Sequence, residues 1–414
     1  MHILLIHQAF AALDEPGGTR HHELARFLVE RGHRVTIITS RVSYLTGTSL
    51  TPSPPPSGEG PGVRVLRVYT YQALHRSFVH RVFSFASFMA SSFFAGLGVR
   101  NVDLVWGTSP PIFQGFTAWM LTRLKGVPFL FEVRDLWPKF AIAVGVLKNP
   151  ALIRMSLWLE GFLYRHADQV MVNSPGYVSH VAAGGARKVT LIPNGADPAM
   201  FDPEDDGAAF RSAHHLEDSF AVLYAGAHGM SNDLGVVLEA ALSLQDKNPA
   251  IRFVFLGDGK EKASLQTKAA EMKLTNVLFL PPLPKDGMAA ALAGADVCLA
   301  ILKPIEEYKT TYPNKVFDYM AAGRPVVLAI DGVIREVVEA AGCGLFARPG
   351  DPAALAQAIE TLEADRARSR RMGQAGRKYL EEHFSRSAVA EKLACLLEEM
   401  AGQPGYKENG NGND

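Results

Sequence analysis

Short apolar runs recur along nearly the whole chain, separated by stretches in which apolar residues return every three or four positions. In the first half the runs are HILLIH, RVTIIT, VRVLRVY, DLVWGT, PFLFEV and QVMVN; in the second they are FAVLYAG, IRFVFLG, NVLFLP, VCLAIL, PVVLAI and GLFARP. Between neighbours lie amphipathic stretches such as TRHHELARFLVERG and GMAAALAGA. Strand rhythm alternating with helix rhythm predicts right-handed crossovers and a parallel sheet covered on both faces. Two such series predict an α/β protein of two Rossmann-like domains facing each other across a cleft.

The punctuation divides the chain. The Pro-, Gly- and Asp-rich IPNGADPAMFDPEDDGAAF marks a boundary, so residues 1–195 form the first domain and 196–370 the second. A charged, helix-forming run over 371–401 is expected to pack back as one helix across both, and the polar 402–414 is expected to be a disordered tail. The Pro-rich stretch Thr51 to Gly62 is expected to be a loop inside the first domain.

Composition sharpens this. Of 414 residues, 48% are hydrophobic and 20% charged, as in a globular protein with a large core. The net charge is zero but uneven: 19 Lys and Arg stand against 10 Asp and Glu up to Gly195, and 23 against 32 beyond it. The first half therefore faces something anionic. Cys298, Cys343 and Cys395 form neither a disulfide framework nor a metal-ligand spacing, which fits a cytoplasmic protein with no metal. The N-terminus reads as a strand rather than a signal peptide. Val82 to Val99 carries no charge, yet Ser84, Ser87 and Ser91 fall on one helical stripe and Phe85, Met89 and Phe93 on another. That pattern leaves three readings open: a buried core helix, a helix over 78–100 lying on a membrane surface, or, least favoured, a true membrane span.

In open parallel sheets ligands bind beyond the carboxyl ends of the strands, so the loops there are the places for chemistry. Gly17 and Gly18 precede a helix and let backbone N–H groups approach a phosphate, with Arg20 in the first helical turn. Glu132, Arg134 and Asp135 end a strand; Thr108 and Ser109 end its neighbour. In the second half, YAGAHGMSND brings His228 and Gly229 to a strand end, FLGDG brings Asp258, and LPPLPKDG brings Leu283. The stretch TYPNKVFDYMAAGRPVV is the most pointed. A lysine in a first helical turn is opposed by the helix dipole, so Lys315 makes sense if an anion sits there, with Tyr312 and a capping Asn314 before it and Asp318 one turn on.

Taken in order, EPGGTRHHELARFLVERGHRVTIIT, LFEVRDLWP, LIPNGAD, YAGAHG, FLGDG, ADVCLAIL, YPNKVFDYMAAGRPVV and GCGLFARPGDPAAL resemble glycosyltransferase family 4. TSPPIFQG with FEVRDLWP looks closest to the bacterial branch that includes N-acetyl-L-fucosamine transferases of O-antigen assembly. The resemblance implies a GT-B fold, a nucleotide-diphosphate sugar donor (UDP-linked by expectation), transfer with retention and no required metal or cofactor. The basic first half and the Phe-rich helix add the expectation of a glycan or lipid-diphosphate-linked acceptor, with peripheral contact with the cytoplasmic face of the inner membrane through 78–100, and no nucleic-acid partner is expected. Carried over by position, Gly17 and Gly18 match the loop near the donor phosphates. Arg134 and Asp135 stand where relatives have His-Asp, and Asp258 with Leu283 matches the base region. Asp318 matches the ribose-binding second glutamate of a pair spaced eight apart. Three departures stand out. Asp318 is the shorter acid, Thr310 replaces the first glutamate with Glu306 and Glu307 as substitutes nearby, and the usual basic pair after the first strand of the second domain is missing, leaving His228. Lys315, with Arg134 and Asp135, then becomes the catalytic candidate. A sugar-nucleotide 2-epimerase of the same fold and a non-catalytic sugar-nucleotide-binding partner are the rival readings.

Overall fold

The computed structural model describes residues 1–414 except 16, 44–46, 48, 50–62, 73–77, 203 and 403–414. The Pro-rich loop and the tail predicted above lie outside the described residues. The first sheet contains β1 (His2–Ile6), β2 (Arg34–Ser40), β3 (Val63–Val68), β4 (Leu104–Ser109), β5 (Phe129–Val133), β6 (Gln169–Val172) and β7 (Val189–Leu191), all parallel, in the order β3-β2-β1-β4-β5-β6-β7. The second contains β8 (Phe220–Ala225), β9 (Ile251–Leu256), β10 (Val277–Leu280), β11 (Val297–Ile301), β12 (Val326–Ala329) and β13 (Gly344–Phe346), also parallel, in the order β10-β9-β8-β11-β12-β13. Each apolar run named from the sequence is a strand. The one strand it misses, β7, has three residues at a sheet edge and no fully buried side chain, so it carries no apolar run to detect.

Both sheets bury apolar side chains on two faces. In the first domain one face packs Phe88, Leu121, Phe131 and Leu163 from the helices Phe78–Gly98, Phe113–Lys125 and Pro150–His166 and the sheet between them. The other face packs Leu24 and Leu28 of the helix Arg20–Glu30 together with Leu393 and Leu397 of the last helix, Arg386–Met400. The expected single helix over 371–401 is therefore two. Arg366–His383 stays with the second domain, the chain turns at Phe384, and Ser385 caps a new helix that completes the first domain. Arg31 holds that helix through Glu391 and Glu398, and Arg386 through Glu23 at 2.6 Å.

The chain thus passes between the domains twice, and the passages lie side by side. Ala196 N–H donates to the Phe384 carbonyl at 3.3 Å, and Arg386 N–H to the Ala196 carbonyl at 2.8 Å. Gly195 is obligatory here, since a Cβ would come within 2.2 Å of the Phe384 carbonyl oxygen. In each sheet the strand order reverses beside its first strand, between β1 and β4 and between β8 and β11. The crevices at those two reversals open toward each other.

The serine stripe of the helix Phe78–Gly98 faces the protein. Ser87 Oγ accepts from Tyr71 N–H at 2.9 Å, and Ser91 Oγ donates to the Tyr69 carbonyl at 2.6 Å. What faces outward is apolar: Val82, Phe83, Phe94 and Leu97 are exposed. Among the described residues no helix is long and apolar enough to cross a membrane.

Candidate active site

Between the two reversals lies a cavity of about 370 Å³. The first domain contributes the loop after β1, with Phe10, Ala11, Gly17, Gly18 and Thr19. The second contributes Gly226 and Ala227 after β8, Gly257 after β9, Pro282 and Leu283 after β10, Lys285, and Asn314, Lys315 and Asp318 of the helix Asn314–Ala321. Gly17, Gly18, Leu283, Asn314, Lys315 and Asp318 are thus brought together around one cavity.

The helix tip differs in detail from the expectation. Pro313, not Asn314, occupies the capping position, and Asn314 caps nothing; its Oδ1 is buried without a hydrogen-bond partner. Proline has no N–H and a fixed φ, which suits the entry to a first turn; Val316 N–H donates to the Pro313 carbonyl at 3.2 Å, while those of Asn314 and Lys315 remain available. Lys315 Nζ lies 3.8 Å from the centroid of the Tyr224 ring, with no carboxylate paired to it among the described residues. Burial pushes its ammonium down from the ordinary lysine value to about 7. A Cβ at Gly226, whose φ is +139°, would sit 3.0 Å from Nζ, so this glycine leaves the ammonium its room. Asp318 does pair: its Oδ1 accepts from Lys285 Nζ at 2.6 Å, both side chains being largely buried. Lys285 was passed over in the sequence, though its signal is the one that exposed Lys315, a lysine opening a helix after a strand end.

The other expected site residues are elsewhere. Arg20 is buried under its helix, donating to the carbonyls of Pro193 (2.7 Å) and Ile192 (3.0 Å) and to Glu132 Oε1 (3.3 Å). It does not reach the cavity, because the fully buried Glu132 carboxylate needs its charge. Glu132 also accepts from His21 Nε2 at 2.6 Å. Although burial opposes its ionisation, these neighbours hold the carboxyl well below the usual range. Arg134 does not line the cavity either. It brackets three strand ends, donating to Thr108 Oγ1 (3.0 Å), to the Ser109 carbonyl (2.9 Å) and to Nε2 of His7 (2.9 Å), a buried histidine that sequence reading missed because it looks like one more residue of a strand. Asp135 lies beside Arg134 outside the cavity lining, with Oδ1 unpartnered, and burial pushes its carboxyl up to about 6.

His228 is fully buried, its ring packed near Phe255 and Phe279 with neither nitrogen partnered, and burial lowers it to about 4. A neutral ring turned away from the cavity cannot stand in for the missing basic pair. Gly229 sits beside it off the cavity, its carbonyl accepting from Asn232 N–H. Asp258 is spent on its own turn, Oδ1 accepting from Gly259 N–H at 2.8 Å. Tyr312 packs its ring on Phe317 and Phe384, and its carbonyl accepts from Asn194 Nδ2 at 2.7 Å across the domains. Glu306 pairs with Lys309 at the surface, away from the cavity. Among the described residues no group of three His, Cys, Asp or Glu could hold a metal ion.

Two facing Rossmann-like domains with a helix tip in the crevice between them define an architecture that binds its ligands between its halves. The chain carries a "Glycosyl transferase 4-like domain" over residues 17–195 and "Glycosyl transferases group 1" over 219–365. These two matches make it a glycosyltransferase of GT-B type, similar to family 4. It is 26% identical over 322 residues, 75% of this chain and 78% of the other, to WcaI of Escherichia coli (strain K12), provisionally named a colanic acid biosynthesis glycosyl transferase. Its fold matches that of sucrose-phosphate synthase from Thermosynechococcus elongatus (TM-score 0.78, 21% identity, 97% of this chain and 99% of that one). It also matches Anabaena HepE in complex with UDP-glucose (TM-score 0.73, 16% identity, 96% and 100%).

Proposed function

We propose that this glycosyltransferase takes a UDP-linked sugar as donor and transfers it, with retention, to a glycan or lipid-diphosphate-linked acceptor in bacterial surface polysaccharide synthesis. The observation that carries the reading is Lys315: an ammonium without an anionic partner, at a helix tip, in the cavity between the domains. A diphosphate bridging the Gly17–Gly18 loop and that tip meets backbone N–H groups and one positive charge. When the bond between the anomeric carbon and the β-phosphate oxygen breaks, charge accumulates on that oxygen, where fixed dipoles and Lys315 stabilise it. The acceptor hydroxyl forms the new glycosidic bond, and its proton leaves with the nucleoside diphosphate. The colanic acid role in the name of WcaI and the UDP-glucose bound to HepE support the polysaccharide and UDP parts of the reading.

The exposed Val82, Phe83, Phe94 and Leu97, with Arg81 and Arg100 at the ends of their helix, favour peripheral contact with an anionic leaflet, where a lipid-linked acceptor would be found. The test is thermal shift and calorimetry with UDP-, GDP-, ADP- and TDP-linked sugars on the native protein and on Lys315→Ala. Stabilisation by the UDP-sugars, lost in the variant, is the expected result. No response to any of the four classes overturns the reading.

A further inference from the structure

The cavity wall holds two lysines and one carboxylate, and how they pair is informative. Lys315 and Asp318 lie three residues apart on one helix, the spacing at which side chains of opposite charge meet. They do not pair. Lys315 lies over Tyr224, and Asp318 gives Oδ1 to Lys285 of the helix Lys285–Ala293 instead. Asp318 Oδ2 has no hydrogen-bond partner among the described residues. Lys285 is itself well fixed. Its N–H donates across the cleft to the Leu13 carbonyl at 3.2 Å, and its ammonium stands 5.6 Å from the Phe201 ring centroid. A buried ion pair is poor evidence of a stabilising role, because desolvation offsets much of its attraction. What it does supply is geometry: a short carboxylate held by one oxygen can turn only the other toward a ligand.

We propose that Lys285 is a positioning residue for donor recognition: it holds one oxygen of Asp318 so that the other meets the ribose hydroxyls, and it leaves Lys315 unpaired for the diphosphate. This rests on the nucleotide-donor reading above. Without Lys285, Lys315 becomes the available partner for Asp318, and the two neutralise each other where the ligand should bind.

The test is calorimetry with UDP, GDP and ADP and with their 2′-deoxy forms, on the native protein, Lys285→Met, Lys285→Arg, Asp318→Asn and the Met/Asn double variant. The native protein is expected to prefer the ribonucleotide by about tenfold or more, the worth of a hydrogen bond to a charged group. Lys285→Met should collapse that preference to within about threefold, as Asp318→Asn does, with Lys285→Arg restoring it. In the Asp318→Asn background the Met substitution should change the preference no further. Equal weakening of both sugar forms in Lys285→Met, with the preference intact, overturns the proposal. If the Met variant does not melt cooperatively, Lys285→Gln takes its place with the same expected collapse. A native protein that binds none of the six removes the donor reading itself, a result distinct from binding without a change in preference.

Discussion

The two walls of the cleft use polar residues in opposite ways. On the first domain, Glu132 is met by Arg20 and His21, Arg20 is met by two carbonyls, and Arg134 is spent on Thr108, Ser109 and His7. On the second, Lys315 has a ring instead of a carboxylate, Asn314 Oδ1 is buried without a partner, and Asp318 keeps one oxygen open. Buried polar groups are costly unless paired, so the first wall spends its charges on holding the strand ends. Both walls leave some buried atoms unpaired, Asp135 Oδ1 and His7 Nδ1 on the first among them, but only on the second, at Asn314, does such an atom belong to a residue lining the cavity, where a ligand can satisfy it. Charge at a strand end is thus a poor guide to a binding site until its partners are counted.

That contrast can be broken from either side. The largest effect is expected for Glu132→Ala, which strands Arg20 and His21 in the core and should cost about 3–5 kcal/mol in denaturant unfolding. A loss within the range of a surface substitution would refute the structural assignment of this wall. Next, Lys315→Ala should cut turnover about 10²-fold, roughly 2.7 kcal/mol of transition-state stabilisation, without lowering the melting temperature. Unchanged turnover in the folded variant would remove Lys315 from the mechanism.

A smaller effect sharpens the same point through pH. Lys315 has its folded value lowered to about 7 against an ordinary 10.5, so between those values the unfolded chain holds more protons and stability rises with pH. The penalty for burying the ammonium is complete below about 7 and gone above about 10.5, so Lys315→Met should raise the melting temperature more at pH 6 than at pH 10. Diphosphate affinity should run the other way in the native protein, falling as pH climbs past 7 and the free site loses its charge. An equal gain from the substitution at both pH values would show that the ammonium is not desolvated. Smallest in stability terms, Phe83→Ser with Phe94→Ser should change unfolding by no more than about 0.5 kcal/mol per site. It should nonetheless abolish sedimentation with anionic vesicles; undiminished sedimentation would exclude this helix as the contact.

The fold was readable because parallel strands buried on both faces leave short apolar runs, here alternating regularly with amphipathic helical stretches. The short edge strand β7 left none. At the site, legibility followed local structure. Gly17, Gly18, Lys315 and Asp318 line the cavity from positions whose peculiarity is local, a double glycine before a helix or a charge at the wrong helix end. Arg20 and Arg134 misled because their partners are remote in sequence: Glu132 for the first, His7 and Thr108 for the second. His228 looked like the substitute for a missing base, and only three-dimensional packing shows its ring sealed in. The serines of Phe78–Gly98 signalled two faces correctly, but not that the polar one turns inward onto the segment after β3.

The last helix has a consequence for how the protein is made. Leu393 and Leu397 fill the face of the first sheet beneath Leu24 and Leu28, so the first domain completes its core only once the helix Arg386–Met400 has been made. At a synthesis rate of about 5–20 residues per second, the first sheet waits on the order of 10–40 s with one apolar face uncovered while the second domain is translated. Cutting the gene at the domain boundary would make that interval permanent. The isolated first half should therefore be a client of chaperones, where the intact chain is only a temporary one.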